Sequence, residues 1–170
     1  MPDLAITNIC TPAHVAVVAC LARDIWQEHY PAIIGQAQVD YMLPLQYGHD
    51  VIAGELAAGQ IRWELATWRD DPVGFSSFGP LDAGDGDLWL RKLYVHRDAR
   101  GIACGWRLTE RVIAMAQTRG FEEVALRVNK ANALAISRYE RMGFHVRLAD
   151  TQPIGEGFVM DDYIMALRVR

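Results

Sequence analysis

Arg100-Gly101-Ile102-Ala103-Cys104-Gly105-Trp106 decides how this chain is read. The run follows an apolar, strand-like segment, Leu88 to Val95. It leads into a helix-like segment that opens at Ala103, in which Leu108, Val112 and Met115 share one face. A small-residue turn between a strand and a helix leaves several main-chain N–H groups bare. Those donors and the positive end of the helix dipole make a ready anion site. The pyrophosphate of a nucleotide cofactor is the anion that suits such a turn. A tight turn of small residues serving packing alone is the competing reading. A Rossmann turn is excluded by context: no G-x-G-x-x-G lies upstream, and no acidic residue closes a βαβ unit. A Walker loop is excluded because no Gly-Lys-Ser/Thr occurs.

Working outward, Gly120 stops the helix and Phe121 to Asn129 reads as a strand. Ala133 to Met142 is a short helix ended by Gly143. Phe144 to Leu148 and Phe158 to Val169 are closing strands. Upstream, Asp82 to Asp87 is a Gly/Asp-rich hairpin connection with Asp85-Gly86 at its turn. Ile61 to Trp68 and Val73 to Phe78 are strands joined through Asp70-Asp71-Pro72. Gln36 to Leu56 is a less regular helical region, broken near Pro44 and Gly48. Thr11 caps, and Pro12 opens, a helix that runs to His29, and Leu4 to Ile9 is a first strand. This order predicts an α/β (α+β) fold: a single mixed, mostly antiparallel sheet of about seven strands flanked by about four helices. The 170 residues suit one domain, 1–170.

A net charge of −4 offers no broad surface to a polyanion, so no nucleic acid is expected as partner. Val15 to Leu21 is apolar but short and is followed by Arg23 and Asp24, so no membrane association is expected. Cys10, Cys20 and Cys104 form no CxxC pair and show no Cys/His ligand spacing. No metal is expected, and a reducing cytoplasm fits. The Asp82–Asp87 loop lacks EF-hand spacing.

Two stretches carry a resemblance. Residues 93–108, LYVHRDARGIACGWRL, contain Q/R-x-x-G-x-G/A at Arg100, Ala103 and Gly105, with Ala103 departing from the usual glycine. Residues 128–144, VNKANALAISRYERMGF, contain N-x-x-A-x-x-x-Y-x-x-x-G-F at Asn132, Ala135, Tyr139, Gly143 and Phe144. With them the chain, from about Ile6 to Leu167, resembles the GNAT superfamily of N-acetyltransferases, which move acetyl from acetyl-coenzyme A to an amine. The resemblance implies that the amides of Gly101, Ile102, Ala103, Cys104, Gly105 and Trp106, beside Arg100, grip the pyrophosphate. It implies that Leu93, Tyr94 and Val95 offer backbone to the pantetheine arm, which Asn132 also bonds. Tyr139 is then the catalytic acid that protonates the departing thiolate, and the Val95 N–H stabilises the oxyanion. Read without the resemblance, Tyr139 is a core aromatic on one face with Ala135 and Met142, and Asn132 is a helix cap.

The carboxylate that the family often carries on the preceding strand is missing here, where Leu90-Arg91-Lys92 stands. Glu28, His29, His96, Asp161 and Asp162 are the candidates for the base, beside proton loss through water. The helix start at Cys104 would lower that thiol's pKa. Trp26, Glu28 and Tyr30 are the substrate-binding candidates, since aromatics with carboxylates suit a cationic amine. The likeness extends more loosely to spermidine/spermine acetyltransferases. The acceptor is therefore expected to be a small-molecule or peptide amine, polyamines among them. An acyl-coenzyme A sensor with little transfer is the alternative. Homodimers are common among similar proteins, and the sequence leaves that state open.

Overall fold

The structure, a computed structural model, describes residues 3–81, 86–99 and 101–170. Thr11 adopts an extended conformation and its side chain accepts the His14 N–H at 3.2 Å, with Pro12 opening helix α1, Pro12–His29. Val15, Val18, Leu21, Ala22, Ile25 and Trp26 form its buried stripe. Pro31 starts a single turn, α2 (Pro31–Ile34), and Gly35 leads into α3 (Gln36–Tyr47). Gly48 alone separates α3 from α4 (His49–Ala58). Pro44 stays inside α3, because it and Asp40, whose carbonyl it leaves without an amide partner, both face solvent. With α5 (Cys104–Arg119) and α6 (Ala133–Arg141), the helical region exceeds the expected four helices by this subdivision.

The strands are β1 (Leu4–Asn8), β2 (Arg62–Trp68), β3 (Asp71–Gly79), β4 (Leu88–Val95), β5 (Glu123–Asn129), β6 (His145–Gly155) and β7 (Phe158–Arg168). Their order is β1-β2-β3-β4-β5-β7-β6. β2 and β3 are joined by Arg69 and Asp70, both at positive φ (51° and 70°), the geometry of a two-residue hairpin turn. Pro72 therefore lies in β3, opposite Thr67 at a register shift, where a missing N–H is tolerated. β6 runs well past Leu148. Nearly all its residues are exposed, so no burial alternation marks it in the sequence, and its pairing with β7 (Leu148↔Ile164, Pro153↔Val159) sets its length. Residues 82–85 of the expected hairpin lie outside the described residues.

The chain divides into two compact units, Met1–Gly79 with Lys92–Glu110, and Pro80–Arg91 with Arg111–Arg170. In the first, Trp63 and Phe75 are fully buried and stack with ring centroids 6.1 Å apart. Ala66, Val73, Ala99, Cys104 and Leu108 form a further core cluster there. In the second, β5 runs parallel to β4 (Leu88↔Val124) and antiparallel to β7 (Leu126↔Met165). The Arg127 and Arg147 guanidinium groups lie 5.8 and 5.9 Å from the Trp89 ring. Arg147 binds Asp87 at 2.6 Å and Glu123 at 3.0 Å, and Arg127 pairs with Asp150. Among the described residues no helix is long and apolar enough to cross a membrane.

Gly74 marks a close approach in the first unit. A Cβ there would stand 2.8 Å from the Tyr94 carbonyl oxygen and 3.2 Å from Cys104 Sγ. Gly74→Ala is expected to lower unfolding stability by about 1–3 kcal/mol, the cost of overpacking against backbone. A urea melt checks it, and an unchanged midpoint would mean that β3 yields freely.

Candidate functional site

The turn into α5 has a specific backbone. Gly101 and Ala103 both lie at positive φ, 90° and 58°. Gly101 takes this shape without penalty, whereas Ala103 bears the strain of an L-residue in the left-handed region. Alternation into and out of that region turns successive N–H groups to one side, forming an anion-binding concavity. The first helical bond runs from the Arg107 N–H to the Ala103 carbonyl at 3.0 Å. The amides of Cys104, Gly105 and Trp106 therefore precede the helical ladder, and no hydrogen bond from them to another element is found among the described residues. Arg100 lies outside the described residues. Cys104, 1% exposed, is anchored in the core, and burial pushes its thiol up to about 11. Desolvation outweighs the helix dipole here, so the expected lowering does not occur.

The second motif resolves into helix caps. The Asn132 side chain accepts the Ala135 N–H at 3.3 Å, so it is the N-cap of α6. At the other end the Phe144 N–H reaches the Tyr139 carbonyl at 3.0 Å and the Gly143 N–H reaches Glu140 at 2.9 Å. With Gly143 at φ 94°, this is a Schellman motif. Its hydrophobic contact is Tyr139 against Phe144, with centroids 5.6 Å apart. Tyr139 is thus half-buried, with its ring position fixed by the residue that ends the helix.

The substrate-binding candidates separate. Trp26 stacks on Tyr30 at 4.4 Å and packs against Tyr47 at 5.3 Å and Tyr94 at 6.0 Å. Trp26 and Tyr47 are each 3% exposed, and the Tyr94 hydroxyl and the Trp26 indole are the hydrogen-bonding side chains beside the Tyr47 hydroxyl. Burial pushes the Tyr47 and Tyr94 phenols well above their ordinary range, so both stay protonated. The Glu28 carboxylate is ion-paired with Arg97. Tyr47 and Lys92 join Trp26 in one aromatic grouping that no sequence spacing announces. The Lys92 ammonium, on a residue 9% exposed, lies 5.1 Å from the Tyr47 ring and 5.6 Å from the Trp63 ring.

The base candidates also separate. His96 Nδ1 lies 3.5 Å from the Asp98 carboxylate, and Asp161 is ion-paired with Lys130 and accepts from Thr151 at 2.7 Å. Asp161 and Asp162 lie within β7 rather than before it. Asp162 is 4% exposed, opposite Asn129 and Asp150, and its carboxyl is pushed up to about 6. Burial is the main cause; Asp150 and Asp161 raise it further, while Arg127 and Lys130 oppose.

Comparison with known proteins agrees with the geometry. Residues 22–144 match the acetyltransferase (GNAT) family model. A stretch of 91 residues, 54% of the chain, is 35% identical to a probable N-acetyltransferase, camello, of Xenopus laevis, and spans 40% of that relative. Among solved structures, the PaiA N-acetyltransferase of Thermoplasma acidophilum in complex with coenzyme A superposes with a TM-score of 0.79 at 18% identity, covering 97% of this chain and 98% of that one. The putative acetyltransferase YncA of Salmonella typhimurium, solved with its cofactor acetyl-CoA, gives 0.67 at 19% identity, covering 99% and 95%. At these identities the structural likeness establishes the fold.

Two outcomes follow from the site's backbone and charges. Gly101→Ala should lose about 1 kcal/mol of stability, whereas Ala103→Gly should range from neutral to about 1 kcal/mol more stable. Thermal unfolding of both variants checks the pair, and similar losses in both would refute the left-handed turn. For Asp162 the folded carboxyl titrates near 6 and the unfolded one near 3.8. The folded state therefore binds the proton more tightly, and the stabilisation present below pH 4 is lost as pH rises through 6. Asp162→Asn should remove that slope and raise stability above pH 6 by roughly 1–3 kcal/mol, read from urea melts between pH 4 and 8.

Proposed function

The chain belongs to the acetyltransferase (GNAT) family, and from that premise we propose that it transfers acetyl from acetyl-coenzyme A to a primary amine by direct attack. The observation that carries this is the left-handed turn at Gly101 and Ala103 with the amides that precede the α5 ladder. In this reading the amides of residues 101–106 receive the pyrophosphate. The main chain of Leu93, Tyr94 and Val95, with Asn132, receives the pantetheine arm.

The neutral amine attacks the thioester carbonyl carbon and forms the C–N bond. The oxyanion that develops takes the Val95 N–H. The C–S bond then breaks, and Tyr139 gives its phenolic proton to the sulfur. A phenol of pKa about 10 is protonated at neutral pH and can supply a thiolate of pKa roughly 8.5. The amine's proton leaves to water or to one of the candidate bases, among them Asp162, whose carboxyl burial pushes up to about 6. The three free cysteines agree with work in a reducing cytoplasm. A polyamine remains one acceptor to try, although Glu28, the carboxylate meant for its charge, is engaged by Arg97.

Calorimetry with coenzyme A and thiol release across an amine panel test the proposal together. Binding with acceptor-dependent thiol is expected; tight binding without such thiol would return the protein to a sensor role. Tyr139→Phe should lower kcat about 10²-fold or more with little change in acetyl-coenzyme A affinity. Equal loss of both would assign Tyr139 to packing.

A further inference from the structure

The proposed function asks one ligand to meet two separate pieces of the first unit. Its pantetheine arm takes the main chain that ends at Val95, and its pyrophosphate takes the amides of residues 101–106. The link that leaves Val95 toward those amides carries a single 3-10 turn, Arg97–Ala99. On its inner side the link is tied to the core. The His96 N–H donates to the Val73 carbonyl at 2.8 Å, and the Ala99 N–H donates to the His96 carbonyl at 3.0 Å. Ala99 is buried in one cluster with Cys104. On its outer side the Arg97 guanidinium joins two carboxylates. Nη1 holds Glu28, in the last turn of α1, and Nε lies 3.5 Å from the Asp98 carboxylate. That carboxylate is also 3.5 Å from His96 Nδ1, to which the Asp98 N–H donates at 3.4 Å. Glu28 and Arg97 both belong to the first unit.

Resting on the acetyltransferase reading, we propose that the Glu28–Arg97–Asp98 network braces the cofactor span, which makes Glu28 and Arg97 positioning residues for coenzyme A rather than for the acceptor. Through Arg97, Glu28 fastens the link to α1. A ligand with two joined ends draws affinity from both contacts only while their separation matches its own length. Loosening the link therefore weakens whole coenzyme A more than either of its parts. Glu28 separates this from a charge effect. Removing a carboxylate favours an anionic ligand by charge alone, whereas removing a brace disfavours it. The Arg97 and Glu28 side chains are 61% and 39% exposed, so the effect has the size of a surface ion pair, about two- to fivefold in affinity.

Calorimetry with coenzyme A and with ADP, at low salt, compares the full chain with Glu28→Gln, Arg97→Gln, the double variant and Arg97→Lys. Each single Gln variant should weaken coenzyme A about two- to fivefold. In Glu28→Gln, ADP should bind as well as to the wild type or better, because it carries the pyrophosphate without the arm. The double variant should be no weaker than the weaker single one, since each change breaks the same brace. Arg97→Lys should recover only part of the loss, because one ammonium does not reach two carboxylates through separate nitrogens as the guanidinium does. In turnover the KM for acetyl-coenzyme A should rise in step, and the acceptor KM should stay within about twofold. Unchanged or tighter coenzyme A binding in Glu28→Gln, additive losses in the double variant, full recovery by lysine, or a rise confined to the acceptor KM would overturn the proposal. If the wild type takes up no coenzyme A, the transferase reading fails, and amide exchange in the ligand-free chain decides the brace. The Ala99 amide should then exchange about two- to fivefold faster in both Gln variants. Unchanged exchange there would overturn the brace as well.

Discussion

The proposed cofactor contact depends on a turn whose amides precede the α5 ladder. Residues 101–103 are held between two core anchors, Ala99 and Cys104, which are 3% and 1% exposed. The anchors share one cluster with Ala66, Val73 and Leu108, so neither end of the turn can relax without opening the core. Gly74 makes room for this by letting the Tyr94 carbonyl and the Cys104 thiol come close. Under that constraint the left-handed residues are a means of presenting amides rather than a defect. Backbone strain at Ala103 is tolerated because the surrounding packing over-determines it.

Much of this was legible because it is local. The Thr11-Pro12 start, the Gly59 and Gly120 stops and the α6 motif follow rules that act over three to six residues. In the motif ending Tyr139-x-x-x-Gly143-Phe144, the asparagine, glycine and phenylalanine have capping duties. The tyrosine is the member whose hydroxyl those duties do not require, which is where a chemical role can reside. A pattern that joins family and fold is therefore read correctly for the fold even by a reader who ignores chemistry.

What could not be read is non-local. Arg97 meets Glu28 across 69 positions, and Arg147 meets Asp87 across 60, pairings no spacing rule anticipates. β6 escaped because exposure on both faces erases the alternation that betrays a strand. Cys104 was misjudged for a related reason. Its position at a helix start is visible in sequence, but its burial is a tertiary fact, and desolvation is the larger effect. Tyr47 and Lys92 meet only when α3 and β4 are placed together.

Net charge also proves a poor guide to the site. The chain carries −4 overall, which by itself would favour cations. Yet the carboxylates nearest the candidate groups are engaged: Glu28 by Arg97, Asp161 by Lys130, Asp150 by Arg127. In the first unit, the amides of Cys104, Gly105 and Trp106 precede the α5 ladder. A main-chain amide can only donate, and each such donor suits an anion. Burial strengthens such bonds by removing competing water, whereas surface carboxylates are screened by solvent and salt. The local row of amides at the turn, not the formal charge, is therefore what supports the proposed phosphate contact there.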